Sequence, residues 1–261
     1  MAERAEFEGR HTEIHVDSLS LRVHSLCSQD AGANDRPIVF VPGLGASCRT
    51  MLPTARLMPK ERDVFIVDLP SHGESEKPSS PLSLAEYAAV TAAWLDRLEL
   101  ERAVLVGHSF GSQVLVELAV GRPSALDGLV LISPTVDPRA RTTVHQLARL
   151  LLDAFREPRD LLRLLLDDYL KVGVGGMRHL GRIAIRDRVE AKLPSIEART
   201  LLVRGARDPL VPERWATQMA MLLPQADLAV IPNGTHAVQY QSARVVAQEL
   251  QGFLTDLGGL P

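Results

Sequence analysis

From residue 37 onward, short apolar runs alternate with segments of helical periodicity. The apolar runs are bounded by Gly, Pro or Asp and lie at 37–41, 64–68, 103–107, 128–132, 200–204 and 227–231. Such runs are typical of strands buried on both faces of a parallel sheet. Helical segments lie near 49–58, 83–98, 110–120, 212–223 and 238–257. The alternation therefore predicts an α/β fold with right-handed crossovers.

Two departures from this alternation complete the predicted architecture. Period-2 stretches at 11–16 and 19–26 predict an amino-terminal hairpin, which brings the sheet to eight strands, most of them parallel and flanked by helices. Between 136 and 193 no strand is evident, and leucine-rich helices are expected at 144–155 and 159–170, before Gly173 and a third helix. We interpret this segment as a helical cap inserted after the sixth strand.

The predicted domains are thus a core formed by 1–135 and 194–261, interrupted by a cap or lid at 136–193. The cap is expected over the carboxyl ends of the strands, where α/β proteins bind ligands. Most of its leucines are expected to pack onto the core, with a few facing inward as an apolar roof. Arginines outnumber acidic residues in the cap, which leaves an anionic substrate open.

Composition excludes several classes of protein. With 46% hydrophobic residues, 23% charged residues and a net charge of −3, the chain has the composition of a soluble globular protein, and nucleic acid is not an expected partner. No apolar run approaches the roughly 20 residues of a membrane span. The charged residues at 1–10 lack the apolar centre of a signal peptide, so a cytoplasmic location is expected.

Neither a metal nor a cofactor is expected. Cys27 and Cys48 are too few for a disulfide framework and lack metal-ligand spacing, so we interpret both as reduced, partly buried side chains. His11 and His15 lie four residues apart, but Glu13 stands in the wrong place for a zinc-protease pattern. The oligomeric state is not predicted.

The sequence Gly107-His108-Ser109-Phe110-Gly111 joins a predicted strand directly to a predicted helix. A serine between two glycines at such a junction is typical of a nucleophile elbow, in which a tight turn exposes the serine in a strained conformation. The glycines are required because the strand end and the first helical turn come close together. Ser109 is therefore the candidate nucleophile, with a non-catalytic turn serine as the alternative.

A serine hydroxyl needs a base to remove its proton, and the base needs a carboxylate to orient it. His236 follows the last predicted strand, and Asp208 follows the strand before it. Ser109, Asp208 and His236 would thus meet at one edge of the sheet. Asp137, a few residues beyond another strand, remains a rival for the acid.

Two other histidines are candidates with smaller roles. His108 adjoins Ser109 but is expected to point the other way. His72 lies in a loop that is expected to be structural, with substrate contact as the alternative.

In five motifs the chain resembles the α/β-hydrolase fold family, serine hydrolase branch. They are 39–47, 68–75, the elbow, the loop that carries Asp208 and the loop that carries His236. The order Ser, Asp, His is the order of that family. The resemblance implies an oxyanion hole formed by the backbone N–H groups of Leu44 and Phe110. Pro42 stands where the family commonly has a histidine, a change that leaves the Leu44 donor in place.

The resemblance also implies a reaction. The expected activity is hydrolysis of a carboxylic ester or related acyl bond in a small, apolar substrate, as in a carboxylesterase, through an acyl-enzyme intermediate. The alternatives are C–C bond hydrolysis of a diketone-like ring-cleavage product with the same triad, and a non-catalytic ligand-binding protein of this fold.

Overall fold

The computed structural model describes residues 10–16, 18–26 and 36–258. They contain one sheet of eight strands: β1 (Arg10–Val16), β2 (Leu19–Leu26), β3 (Ile38–Val41), β4 (Val64–Val67), β5 (Ala103–His108), β6 (Leu126–Ile132), β7 (Thr200–Gly205) and β8 (Ala226–Ile231). Their order across the sheet is β1-β2-β4-β3-β5-β6-β7-β8. The hairpin β1–β2 is antiparallel and joins β4 antiparallel, while all other pairs are parallel. The predicted α/β fold, with a mostly parallel eight-stranded sheet, is confirmed.

The helices occupy the predicted segments, with two changes. They are α1 (Leu52–Ala55), α2 (Leu84–Arg97), α3 (Phe110–Gly121), α4 (Thr143–Ala154), α5 (Arg159–Arg186), α6 (Val189–Lys192), α7 (Glu213–Leu222), α8 (Val238–Gln241) and α9 (Ala243–Gly258). The segment expected to be helical at 49–58 forms only the single turn α1 after a short 3₁₀ turn. The segment at 238–257 is divided into α8 and α9.

Helices cover both faces of the sheet. Side chains alternate along β3, so Val39 belongs to one apolar cluster and Phe40 to the other. The first cluster includes Trp94 of α2 and Trp215 of α7, and the second includes Phe253 of α9. Burial on both faces explains the continuous apolar runs of the inner strands.

The strand β8 differs from the expected buried strand. It pairs with β7 alone and lies at the edge of the sheet. Its first five residues are partly or fully exposed, and Val230 is 43% exposed. Both faces of this strand are only partly covered, since Leu228 packs against one apolar cluster and Ala229 against the other.

A helical insertion follows β6, as predicted, and consists of α4, α5 and α6. Gly173 interrupts α5 with φ 79° and ψ 162°, which divides this helix as the glycine-rich segment indicated. Leu161 and Leu180 of α5 are buried. The cap boundaries at 136 and 193 remain a prediction.

The packing expected for the leucines of α4 is wrong. Leu147, Leu151 and Phe155, at the carboxyl end of the helix, are 54%, 63% and 89% exposed, whereas Gln146 and Asp153 are buried. The buried polar side chains of this helix bond to the backbone of neighbouring loops: Gln146 donates to the carbonyl oxygen of Ala140, and Asp153 accepts from the N–H of His236. α4 therefore does not form an apolar roof by burying its leucine stripe.

The structure bears on the expectations for the cysteines, for His11, and for membrane spans and metal sites. Cys48 is a free, buried thiol, and Cys27 and the residues at 1–9 lie outside the described residues. A ring nitrogen of His11 lies 3.2 Å from one of His24 in the neighbouring strand. Within the described ranges, no helix is long and apolar enough to cross a bilayer, and no group of three or more His, Cys, Asp or Glu side chains is placed to hold a metal ion.

Candidate active site

Ser109 occupies the sharp turn between β5 and α3. Its φ of 51° and ψ of −113° lie in a region of backbone conformation that residues other than glycine rarely adopt. A Cβ on Gly107 would lie 2.7 Å from the backbone nitrogen of Ser112, in the first turn of α3. A Cβ on Gly111 would lie 2.3 Å from the carbonyl oxygen of Val41, in β3. Close approach of the backbone thus requires both glycines. At Gly107 the neighbouring backbone is the first turn of α3, and at Gly111 it is the strand β3.

A continuous chain of hydrogen bonds joins three buried side chains at the carboxyl ends of β5, β7 and β8. The Nε2 atom of His236 lies 3.0 Å from the Oγ atom of Ser109. The Nδ1 atom of His236 lies 2.9 Å from the Oδ2 atom of Asp208. These residues are 8% (Ser109), 7% (His236) and 3% (Asp208) exposed. The structure therefore brings together the predicted nucleophile, base and acid in the required order.

The loop after β7 fixes the carboxylate of Asp208. Its Oδ1 atom accepts hydrogen bonds from the backbone N–H groups of Leu210, at 2.8 Å, and Val211, at 3.1 Å. This leaves Oδ2 facing His236. Burial acts to raise the pKa of Asp208, but the charge and hydrogen bond of His236 outweigh it and hold that pKa below its ordinary value.

His236 is correspondingly more basic than an ordinary histidine. Burial disfavours the imidazolium, but the carboxylates of Asp208, Asp153 and Glu157 outweigh burial and raise the pKa of His236 to about 9. With Nδ1–H donating to Asp208, the neutral ring presents the Nε2 lone pair to the hydroxyl of Ser109. This arrangement suits proton transfer from Ser109.

Asp137, the rival acid, lies elsewhere. Its buried carboxylate pairs with Arg149, at 2.9 Å, and with Arg214. It also accepts the backbone N–H of Arg139. Through these ion pairs Asp137 links the cap to α7. The carboxylate that contacts His236 is that of Asp208.

The two backbone donors proposed for the oxyanion hole belong to segments next to Ser109. Phe110 is the first residue of α3, whose initial N–H groups have no acceptor within the helix. The loop that carries Leu44 passes directly beside the elbow, because a Cβ on Gly43 would lie 3.4 Å from the Cβ of Ser109. The placement of this loop agrees with a role that remains a prediction.

The two other candidate histidines, His108 and His72, are buried and have structural contacts. The Nε2 atom of His108 lies 3.1 Å from the carbonyl oxygen of His236, so this ring supports the His236 loop. That the side chain points away from the side chain of Ser109 stays a prediction. Burial, with the nearby charge of His236, lowers the pKa of His108 to about 3. His72 donates from Nδ1 to the carbonyl of Pro70 at 2.9 Å, and burial lowers the pKa of His72 to about 4.

Sequence reasoning missed three side chains around the site. Thr135, just after β6, places its Oγ1 atom 3.5 Å from the Oγ atom of Ser109. Asp153 and Glu157 reach the His236 loop from the end of α4 and the turn that follows it. Two acidic residues four apart in a leucine-rich segment were the available signal, but their target could not be read from the sequence.

The sequence of this chain is similar to that of a known family and of individual proteins. Residues 38–249 match the sequence model of the "Alpha/beta hydrolase family". The chain is 30% identical over 242 residues to the dihydrolipoyllysine-residue acetyltransferase component of the acetoin cleaving system of Pseudomonas putida. That match covers 85% of this chain and 64% of the relative, so the chain spans slightly less than two thirds of its length.

Two further matches extend over most of both chains. The putative carbamate hydrolase RutD of Pseudomonas syringae pv. syringae is 27% identical over 242 residues, with 84% of this chain and 93% of the relative covered. The crystal structure of the enol-lactonase from Burkholderia xenovorans LB400 superimposes with a TM-score of 0.76. It covers 94% of this chain and 100% of the enol-lactonase at 20% sequence identity, and this likeness shows a shared fold.

Proposed function

The chain belongs to the alpha/beta hydrolase family, and we propose that it hydrolyses a carboxylic ester or a related acyl bond of a small molecule through an acyl-enzyme intermediate. Hydrolase activity is supported by the family and by relatives such as the putative carbamate hydrolase. The observation that carries the finer proposal is the buried hydrogen-bond chain from Ser109 through His236 to Asp208.

In the first half of the proposed reaction, the Oγ atom of Ser109 attacks the carbonyl carbon while its proton passes to Nε2 of His236. The carbonyl oxygen becomes an oxyanion, which the N–H groups of Leu44 and Phe110 would stabilise. Two such donors are worth several kcal/mol, about 3 for each by mutagenesis in another hydrolase. The intermediate collapses, the imidazolium gives its proton to the departing alcohol, and Ser109 keeps the acyl group.

In the second half, water replaces the alcohol. His236 removes a proton from water, the resulting hydroxide adds to the acyl carbon, and collapse returns the proton to Ser109 and releases the carboxylic acid. Asp208 keeps its negative charge throughout, holding the Nδ1–H tautomer and stabilising the imidazolium. Each step uses groups present in this chain and water.

An ester or lactone is the favoured substrate class. The enol-lactonase of the same fold acts, by its name, on a cyclic ester, and the buried site favours an acyl group with hydrocarbon character. Next to the Leu44 loop, Met177 and Tyr169 of α5 approach Gly45, since a Cβ there would lie 2.6 Å from the Sδ atom of Met177. We propose that the segment 136–193 acts as the cap that selects the substrate through these two side chains.

Activity-based labelling tests this function. Fluorophosphonate should attach covalently to the purified protein and to no Ser109→Ala variant, with mass spectrometry locating the adduct. Hydrolysis of p-nitrophenyl acetate should show a burst of one equivalent if deacylation is slower than acylation. Labelling without turnover of any ester would favour C–C bond hydrolysis, and absence of both would favour a non-catalytic binding protein.

A further inference from the structure

The carboxyl end of α4 and the turn that follows it contact the loop that carries His236 through buried hydrogen bonds. Three consecutive residues of that loop, Thr235, His236 and Ala237, donate hydrogen bonds to two carboxylates of the cap. The backbone N–H of His236 donates to Asp153 Oδ1 at 3.1 Å. The hydroxyl of Thr235 and the N–H of Ala237 donate to Glu157 Oε1, at 2.6 Å and 3.0 Å.

These contacts are buried. Asp153 is 5% exposed, Glu157 is 9% exposed and Thr235 is 3% exposed. Hydrogen bonds from backbone N–H groups to an ionised carboxylate are among the stronger ones in proteins, and burial limits competition by water. The carboxylates thus restrain the backbone on both sides of the base, where small displacements change the reach of its ring toward Ser109.

The same turn also contacts the loop of the candidate acid. The Nη1 atom of Arg156 donates to the carbonyl oxygen of Arg207, the residue before Asp208, at 2.9 Å. The acid and base loops are themselves joined by the N–H of Arg207 donating to Gly234 at 2.8 Å. One turn of the cap therefore spans both loops whose side chains form the Asp208–His236 pair.

We propose that Asp153 and Glu157 are positioning residues, which hold the His236 loop so that the imidazole bridges Ser109 and Asp208. The cap then helps to position the base. This inference rests on the proposed function, because it assigns a role within that reaction. Neither side chain contacts Ser109 or takes a proton from substrate in this role. The cap would thus hold the base in addition to selecting the substrate.

Electrostatics gives these carboxylates a second, measurable effect. The titratable groups around His236 are Asp208 in the loop after β7, His108 of β5, and Asp153 and Glu157 of the cap. His108 carries no charge near neutral pH because burial lowers its pKa to about 3. Burial and the neighbouring Glu157 and Asp208 carboxylates outweigh the attraction of His236 and raise the pKa of Asp153 to about 7. The cap carboxylates add negative charge near the ring and favour its protonated form.

The test compares Glu157→Ala, Glu157→Gln, Asp153→Asn and, as a matched control, Asp167→Asn, which alters a cap carboxylate that is 67% exposed. Turnover of p-nitrophenyl acetate is measured from pH 5 to 10. Glu157→Ala should lower the plateau kcat by about 10- to 100-fold with KM within about 3-fold, because misplacing a catalytic group costs rate more than binding. Glu157→Gln keeps an oxygen acceptor and should restore most of kcat, while its pH midpoint falls by about one unit through loss of the charge.

Asp153→Asn should likewise keep an acceptor and lower the pH midpoint. Asp167→Asn should have the same kcat and the same pH midpoint as the unmodified protein. Unchanged kcat and midpoint in the Glu157 and Asp153 variants would overturn the inference. If Glu157→Ala does not fold, as judged by circular dichroism, the pH midpoints of the isosteric variants Glu157→Gln and Asp153→Asn test the inference instead.

A separate measurement distinguishes this inference from the proposed function. The Nδ1–H proton of His236, hydrogen-bonded to Asp208, should give a strongly downfield NMR signal, identified by its loss in His236→Gln. If the unmodified protein neither binds fluorophosphonate nor cleaves esters, the proposed function fails, yet that signal should still broaden or disappear in Glu157→Ala. Its persistence there, unshifted, would refute positioning by the cap whatever the reaction.

Discussion

The Nε2 atom of His236 lies 3.0 Å from the Oγ atom of Ser109, although 127 residues separate them in the chain. The parallel sheet creates this contact because the carboxyl ends of β5 and β8 open onto the same edge. Buried hydrogen bonds between a hydroxyl and an imidazole that is itself held by a carboxylate are the arrangement that activates serine.

Ser109→Ala and His236→Ala should each lower kcat by about 10⁴ to 10⁶, because nucleophile, base and acid act as one unit. The Ser109→Ala, His236→Ala double variant should lose little more than either alone. Steady-state kinetics with p-nitrophenyl acetate measures both, with thermal melting as a check that the variants fold. Additive losses in the double variant would argue that the two residues act independently.

Two buried aspartates allow a matched comparison. Asp208→Asn should lower kcat by about 10⁴, the loss seen when a triad acid loses its charge. Asp137→Asn should keep kcat within a few-fold, since its partners are Arg149 and Arg214. It should instead lower the free energy of unfolding by about 1.5–3 kcal/mol, as expected for weakened hydrogen bonds to a charged group. Denaturant unfolding supplies the second quantity, and an inactive but stable Asp137→Asn variant would reverse the assignment.

Activity should depend on pH through the neutral form of His236. Protonated His236 cannot accept the proton of Ser109, so activity is lost as the pH falls through the pKa of His236. The surrounding carboxylates raise that pKa to about 9, so the acid limb of the kcat/KM profile should have its midpoint above pH 7 rather than at the ordinary histidine value. A midpoint at or below pH 6 would show that the buried carboxylates do not act on the base as their placement indicates.

Much of the fold followed from local patterns. The inner strands are buried on both faces, so their sequences are continuous apolar runs that periodicity identifies. The capping box of Ser83 and Glu86 that starts α2 has the three-residue spacing typical of this motif. Ser109, Asp208 and His236 could be predicted to meet because each follows a strand end in a sheet whose strands are parallel.

The sequence failed where tertiary surroundings reverse a local preference. The leucines of α4 predicted burial, yet this helix buries Gln146 and Asp153, which bond to the backbone of neighbouring loops. Leu151 and Phe155 face outward. The roles of Asp153 and Glu157 depend on contacts across about 80 residues. No pattern within the helix identifies such partners, since only the folded loop brings the N–H groups of His236 and Ala237 to them.

Selection among acyl chains should depend on α5 rather than on the exposed leucines. The Sδ atom of Met177 would lie 2.6 Å from a Cβ on Gly45, beside the proposed oxyanion loop, whereas Leu170 of the same helix is 72% exposed. Met177→Ala should enlarge the space beside the carbonyl and raise the preference for longer acyl chains. Each additional buried methylene contributes about 0.8 kcal/mol, or about 4-fold in kcat/KM.

The measurement is kcat/KM for p-nitrophenyl acetate, butyrate, hexanoate and octanoate. Leu170→Ala is the control and should keep the original profile. If the two variants give the same profile as each other and as the unmodified protein, Met177 does not limit the acyl site, and the side chain that does must lie on another element around Ser109.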